Sequence, residues 1–180
     1  MSRHSIEAMF DPATDAAVRE EWRALLDAGL RSQAAHPGAT NAPHLTLSVA
    51  RSIPESLDAV IERDLAADDL LPLEIGLGPV VVLGERRPVL ARLVVPTTGL
   101  LRLHAVVAAA TRGLDDVPAT AAVGSWVPHV TLARLAHPEE LGRAFGVLHE
   151  LTPGAGIRVG RIESVRRWDP DERQVTAVAG

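Results

Sequence analysis

Two short segments carry the residue types most able to do chemistry: Pro43-His44-Leu45-Thr46-Leu47 and Pro128-His129-Val130-Thr131-Leu132. In each, a proline precedes a histidine, an aliphatic residue follows it, and a threonine stands two places beyond. The ordinary pKa of histidine, about 6.5, lets acid and base forms coexist near neutrality, so two imidazoles can give and take a proton in one reaction. Threonine hydroxyls can donate to oxygens on which negative charge builds. A β-strand sends residues i and i+2 to the same face. As strands, the two segments present His44 with Thr46 and His129 with Thr131, while the aliphatic residues between them point into a core.

The rest of the chain reads as the scaffold for those strands. Ile6 to Phe10 is a short first strand, and Asp11-Pro12 opens a helix with Val18, Trp22, Leu25 and Leu26 at helical spacing. Gln33 to Ala42 is a loop before the first motif strand, in which Leu45, Leu47 and Val49 alternate with His44, Thr46 and Ser48. Ser52-Ile53-Pro54-Glu55 has the form of a capping box, followed by Leu57, Val60, Ile61 and Leu65 on one helix face. Leu71 to Leu77 and Val80 to Leu83 are strands, Gly84 to Arg87 a turn, and Val89 to Val95 a returning strand. A helix from Thr97 carries Leu100, Leu103 and Val107, and Asp115 to Gly124 is a loop. The second motif strand runs from about Val127 to Leu135, and Pro138 opens a helix with Leu141, Ala144, Phe145 and Leu148 on one face. Past a turn at Pro153 to Gly156, strands at Ile157 to Arg166 and Gln174 to Ala179 close the chain.

Residues 5–77 and 88–166 therefore repeat one order: strand, helix, motif strand, helix, strand. His44 to His129 and Pro54 to Pro138 are nearly equal intervals. Residues 1–180 read as a single α+β domain with an internal duplication, lobes at roughly 5–77 and 88–166, and a closing strand at 174–179. The period is far too long for a short-repeat solenoid.

Composition narrows the function. The chain has 180 residues, 47% hydrophobic and 23% charged, with 3% aromatic and a net charge of -5. That acidity argues against broad, salt-driven binding along a nucleic-acid backbone. There is no cysteine, which excludes disulfides, thiolate metal sites and cysteine nucleophiles. There is no lysine either, and all 18 basic residues are arginine. Phosphate-loop, Schiff-base and lysine–nucleotide chemistry are thereby excluded. Gly124-Ser125-Trp126 lacks the second glycine of a nucleophile elbow, and Gly154-Ala155-Gly156 lacks the third glycine of a dinucleotide loop. No apolar run approaches the roughly 18 residues of a membrane span, and the first residues lack a signal pattern. The expected compartment is cytoplasmic, and a monomer is the default.

Paired histidine-x-threonine strands in a duplicated chain of this length resemble the 2H phosphoesterase superfamily, and within it the bacterial RNA 2′,3′-cyclic phosphodiesterase or 2′-5′ RNA ligase family. The likeness extends to Arg92-Leu93-Val94-Val95 before the Leu100-Leu101-Arg102-Leu103-His104 helix, and to Thr131-Leu132-Ala133-Arg134. The resemblance implies two pseudo-symmetric lobes, each a mainly antiparallel sheet with outer helices, facing across a central cleft with one motif from each. It implies a metal-independent, cofactor-free phosphodiesterase with His44, Thr46, His129 and Thr131 as catalytic residues. The substrate would be a nucleotide or RNA end carrying a 2′,3′-cyclic phosphate, opened to a 2′-phosphomonoester. ATP-independent 2′-5′ ligation is the same reaction reversed. The competing reading is a non-catalytic nucleotide- or RNA-binding protein on the same scaffold.

Further residues are candidates for substrate contact. Ser48 shares the parity of His44 and is placed to line the cleft. Arg134 has the opposite parity to His129 and reaches a phosphate only if the strand twists or ends there. Trp126 and Trp168 have two readings, stacking a base or packing in an aromatic-poor core. Arg86 and Arg87 in their turn face a nucleic acid or only water. His4, His36, His104, His137 and His149 fall outside the pattern and read as surface or helix-face residues. The net acidity tilts the choice among RNA ends, tRNA by-products, 2′-5′ oligonucleotides and ADP-ribose cyclic phosphates toward a short substrate.

Overall fold

In the computed structural model, residues 3–38, 40–84, 88–135, 137–151 and 156–180 are described. The turn residues Arg86 and Arg87, and most of the turn expected at Pro153 to Gly156, lie outside them. Strands β1 (His4–Phe10), β2 (His44–Ala50), β3 (Leu73–Leu83), β4 (Val89–Val94), β5 (His129–Arg134), β6 (Arg158–Asp169) and β7 (Gln174–Ala179) alternate with four α-helices. These are α1 (Pro12–Asp27), α2 (Asp58–Ala67), α3 (Thr98–Ala110) and α4 (Glu140–Leu151). Local chemistry sets two of the helix starts. The Asp11 carboxylate accepts from the Thr14 amide with Pro12 in the first turn, and the Thr97 hydroxyl accepts from the Leu100 amide.

The helix after the first motif does not start with the expected capping box. A 3₁₀ turn at Glu55–Leu57 precedes α2, and no side chain caps either start. The start of α2 is held from outside by Arg167 of β6. Its guanidinium donates to both oxygens of Asp58 at 3.0 and 3.1 Å, and this partner raises its pKa above the usual arginine value. Arg167 also lies 3.4 Å from Glu55 Oε1, the carboxylate that a capping box would have turned back to the Ser52 amide.

Every strand pairing is antiparallel, in the order β2-β1-β6-β3-β4-β5 with β7 also on β6. The fold is α+β, and its strands form one hydrogen-bonded sheet. The two sequence halves interleave in it, because β6 lies between β1 and β3. Expected strands at 71–77 and 80–83 are one strand, β3, whose ladder with β4 shifts register between Leu77 and Val80. Helices α1 and α4 pack together, α1 also against β5, while α2 and α3 pack together against β7 and β2. The sheet curls so that its end strands β2 and β5 come into contact.

The core is aliphatic, with Ile6, Leu25, Leu45, Leu47, Leu90, Leu100, Leu103 and Leu132 among its fully buried side chains. Phe145, expected on the inner face of α4, is instead 40% exposed, and the inner face is held by Ala144 and Leu148. One buried ionic cluster ties α1 to the sheet. The Glu21 carboxylate accepts from Arg92 of β4 at 2.6 Å and from Arg158 of β6, and Arg92 also donates to the Gly78 carbonyl at 3.0 Å. Removing the shared anion strands two cations under a helix. Glu21→Ala is therefore expected to destabilise the fold by about 3–5 kcal/mol, read as a lower urea midpoint; a loss below about 1 kcal/mol would show that the cluster is effectively solvated.

Candidate functional site

The motif strands end the sheet, so each has one edge without a strand partner. Other elements satisfy that edge in a matched way. The Trp126 indole Nε1 donates to the Thr46 carbonyl at 3.0 Å, and the Trp22 indole Nε1 donates to the Thr131 carbonyl at 3.0 Å. The imidazoles are matched too. His44 Nδ1 is 2.8 Å from the Ala42 carbonyl, and His129 Nδ1 is 2.8 Å from the Val127 carbonyl. A carbonyl only accepts, so each ring carries its proton on Nδ1 and leaves Nε2 for chemistry. Leu45, Leu47, Val130 and Leu132 are buried while His44, Thr46, His129 and Thr131 keep partial exposure, as the two-residue period requires.

That period breaks just after each motif, in the same way. In the β1–β2 ladder Glu7 faces Thr46 and Ile6 faces Ser48. In the β4–β5 ladder Ala91 faces Thr131 and Leu90 faces Ala133. One residue of the inner strand thus spans two of the motif strand, which is a β-bulge centred on Leu47 and on Leu132. Beyond a bulge the faces exchange. Ser48, expected on the His44 side, is turned inward. It is 2% exposed, and its hydroxyl is 2.8 Å from Thr111 Oγ1. It borders the cleft with its hydroxyl already engaged. Arg134, expected on the wrong side, is carried by the same device to the side of His129 and Thr131 and is exposed.

A cleft of about 460 Å³ lies along these strands, bordered by Thr46, Val49, Leu83, Trp126, Val127 and His129 among others. Burial is the main cause that holds His129 below its ordinary value of 6.5. The Val127 carbonyl opposes the shift, and the positive charges of His44 and Arg134 add to it. The contribution of His44 puts the two imidazoles within electrostatic reach of each other.

The sequence reading missed one residue here and left another, His104, as a surface or helix-face residue. Glu7 of β1 is buried beneath His44, its Oε1 3.7 Å from His44 Nε2 and its Oε2 2.8 Å from the Arg166 guanidinium. An acid in an otherwise apolar strand, Ile6-Glu7-Ala8-Met9-Phe10, was the available signal. His104 is the other: it is 1% exposed and stacks on Trp126 with ring centroids 4.0 Å apart and 2° between planes. One indole face is therefore covered, and Trp126 acts as packing and as a hydrogen-bond donor to the motif strand. Trp168 sits in β6 opposite Ser5. Among the described residues, one group has metal-ligand spacing, namely His4, Asp169 and Asp171. It lies where β6 turns into β7, and Asp169 Oδ1 already accepts the amides of Asp171 and Glu172. His4 is buried rather than on the surface.

An antiparallel sheet with four helices is an α+β fold that matches the 2H phosphoesterase class. A family model described as the 2′-5′ RNA ligase superfamily matches residues 10–171, and the chain belongs to that superfamily. Among solved structures it is similar to TT0787 of Thermus thermophilus, with 18% identity and a TM-score of 0.59 over 98% of this chain and 95% of that one. It is also similar to Usb1 of Kluyveromyces marxianus, solved with uridine monophosphate, with 14% identity and a TM-score of 0.52 over 98% and 97% of the two chains. At such identities the likeness is one of fold. No curated protein matches the chain by sequence. No helix among the described residues is long and apolar enough to cross a membrane.

The His104–Trp126 pair carries a pH dependence whose sign follows from burial. Desolvation holds His104 below 6.5 against the Ala121 carbonyl on its Nε2, 3.0 Å away. His129 is depressed too. Below 6.5 the unfolded chain therefore binds protons that the folded chain resists, and stability falls with acid. The urea midpoint is expected to drop between about pH 7.5 and about pH 5.5, with His104→Phe flattening part of the slope. An unchanged slope in that variant would remove His104 from the account.

Proposed function

We propose that the chain is a metal-independent phosphodiesterase that opens a 2′,3′-cyclic phosphate on a nucleoside or RNA end to a 2′-phosphomonoester. The observation that carries this reading is the matched pair of imidazoles. Each is anchored through Nδ1 to a backbone carbonyl two residues earlier, which leaves each Nε2 for a phosphate that would sit between the rings, beside the cleft that His129 lines. In-line displacement needs a base on the attacking side and an acid on the leaving side, each within roughly 3 Å of its oxygen. The Thr46 and Thr131 hydroxyls would donate to the non-bridging oxygens as their charge grows. Arg134, brought to the same side by its bulge, supplies a further positive charge for the phosphate. The cleft is within the range of small-ligand sites, about 300–1,000 Å³, which suits a nucleotide or a short RNA end. Joining ends through a 2′-5′ linkage is the reverse of this step. The matched bulges, indole bonds and imidazole anchors also support reading the chain as one domain with an internal duplication.

His44→Ala and His129→Ala are each expected to lower kcat/KM on a cyclic mononucleotide by about 10²–10⁴. Thr46→Val and Thr131→Val should cost less, roughly tenfold to a hundredfold, the value of a hydrogen bond to a charged group. Turnover should persist in excess chelator, with the 2′-monoester as the phosphorus NMR product. Activity surviving either histidine substitution, or lost to chelator alone, overturns the reading.

A further inference from the structure

The two halves of the site match in backbone and differ in charge. Opposite Thr46 in its ladder stands Glu7; opposite Thr131 in the corresponding position stands Ala91. Just past the bulge the first strand carries Val49 where the second carries Arg134. A carboxylate, itself paired with Arg166, therefore stands beside His44, and an arginine without such a counterpart acts on His129.

Glu7 is built into its place. It is 4% exposed, Oε1 accepts from the Ser5 hydroxyl at 2.7 Å, and Oε2 accepts from Arg166 Nε at 2.8 Å. Arg166 is fixed in turn by the Thr40 carbonyl at 3.1 Å. The arginine pairs with the carboxylate from its far side, while Oε1 stays 3.7 Å from His44 Nε2. A neutral His44 ring would aim a lone pair at that oxygen, whereas the protonated ring aims an N–H. The charged groups near His44 are Glu7 of β1, with Arg166 of β6 behind it, and His129 of β5, on which Arg134 also acts. Among the described residues no carboxylate pairs with His129.

We propose, building on the phosphodiesterase reading, that Glu7 is a positioning residue that divides the roles: it holds His44 as the proton donor and leaves His129 as the base. Water oxygen bonds to phosphorus as its proton passes to His129 Nε2. The P–O3′ bond breaks, and the departing oxygen takes the proton from His44 Nε2, which yields a 2′-phosphomonoester and a free 3′-hydroxyl. The proton on His129 then returns to His44 through solvent.

The test is the pH profile of kcat and KM on 2′,3′-cyclic AMP for the wild type, Glu7→Gln and Glu7→Asp. In Glu7→Gln the alkaline limb should move down by about one pH unit, a tenfold loss on that side. KM and the acidic limb should stay put, and Glu7→Asp should restore part of the shift. An unmoved alkaline limb, or a shift confined to the acidic one, overturns the proposal. Histidine ring NMR signals, read without substrate, decide independently of turnover and of whether the variants fold. In the wild type His129 should lose its proton at lower pH than His44; the opposite or a coincident order overturns the assignment. A wild type that opens no cyclic phosphate, while Glu7→Gln lowers the pH at which the His44 ring signal titrates, would sink the phosphodiesterase reading and leave the effect of Glu7 standing.

Discussion

An open antiparallel sheet has two edges whose backbone groups need partners, and this fold meets that need by curling until the edges approach each other. The end strands are the two motif strands, β2 and β5. Their outer carbonyls at Thr46 and Thr131 are met by the indoles of Trp126 and Trp22. Those bonds close edges that would otherwise invite another strand, and they hold each histidine-bearing strand in a fixed position. Everything proposed for the site rests on that closure, because it brings two imidazoles from distant parts of the chain within electrostatic reach of each other.

The second constraint is the bulge that follows each motif. Strand alternation alone would put Ser48 on the side of His44 and Thr46 and Arg134 into the core. A single extra residue reverses both, sending a neutral hydroxyl inward to Thr111 and an arginine outward. The local rule of side-chain parity thus fails at the positions where the site acquires its charge. Below the cleft, the Glu21–Arg92–Arg158 cluster places buried charge under α1, the helix that also supplies Trp22. Such a cluster is costly to desolvate and fixes the helix that seals β5.

Much of this was legible before any coordinates. The motif strands, the buried Leu45, Leu47, Val130 and Leu132 and the helices near Pro12 and Thr97 follow from two-residue and helical periodicities, the start of α1 from Asp11-Pro12, and the antiparallel α+β class from the family resemblance. What was hidden depends on pairing across the sheet. No residue type announces a bulge at Leu47 or Leu132, so Ser48 and Arg134 were assigned by parity alone. The start of α2 is decided by Arg167, more than a hundred residues away in sequence, and no local pattern encodes such a partner. Likewise Gly78-Pro79 read as a break between strands, yet the chain continues through it by a register shift in the β3–β4 ladder.

The most direct measurement is a crystal structure with a 2′-nucleoside monophosphate, the proposed product, in the cleft. The expected result is a single phosphate whose oxygens lie about 3 Å from both His44 Nε2 and His129 Nε2, with the threonine hydroxyls on its remaining oxygens. A phosphate held by only one imidazole, or seated elsewhere on the sheet with the rings turned from each other, contradicts the account.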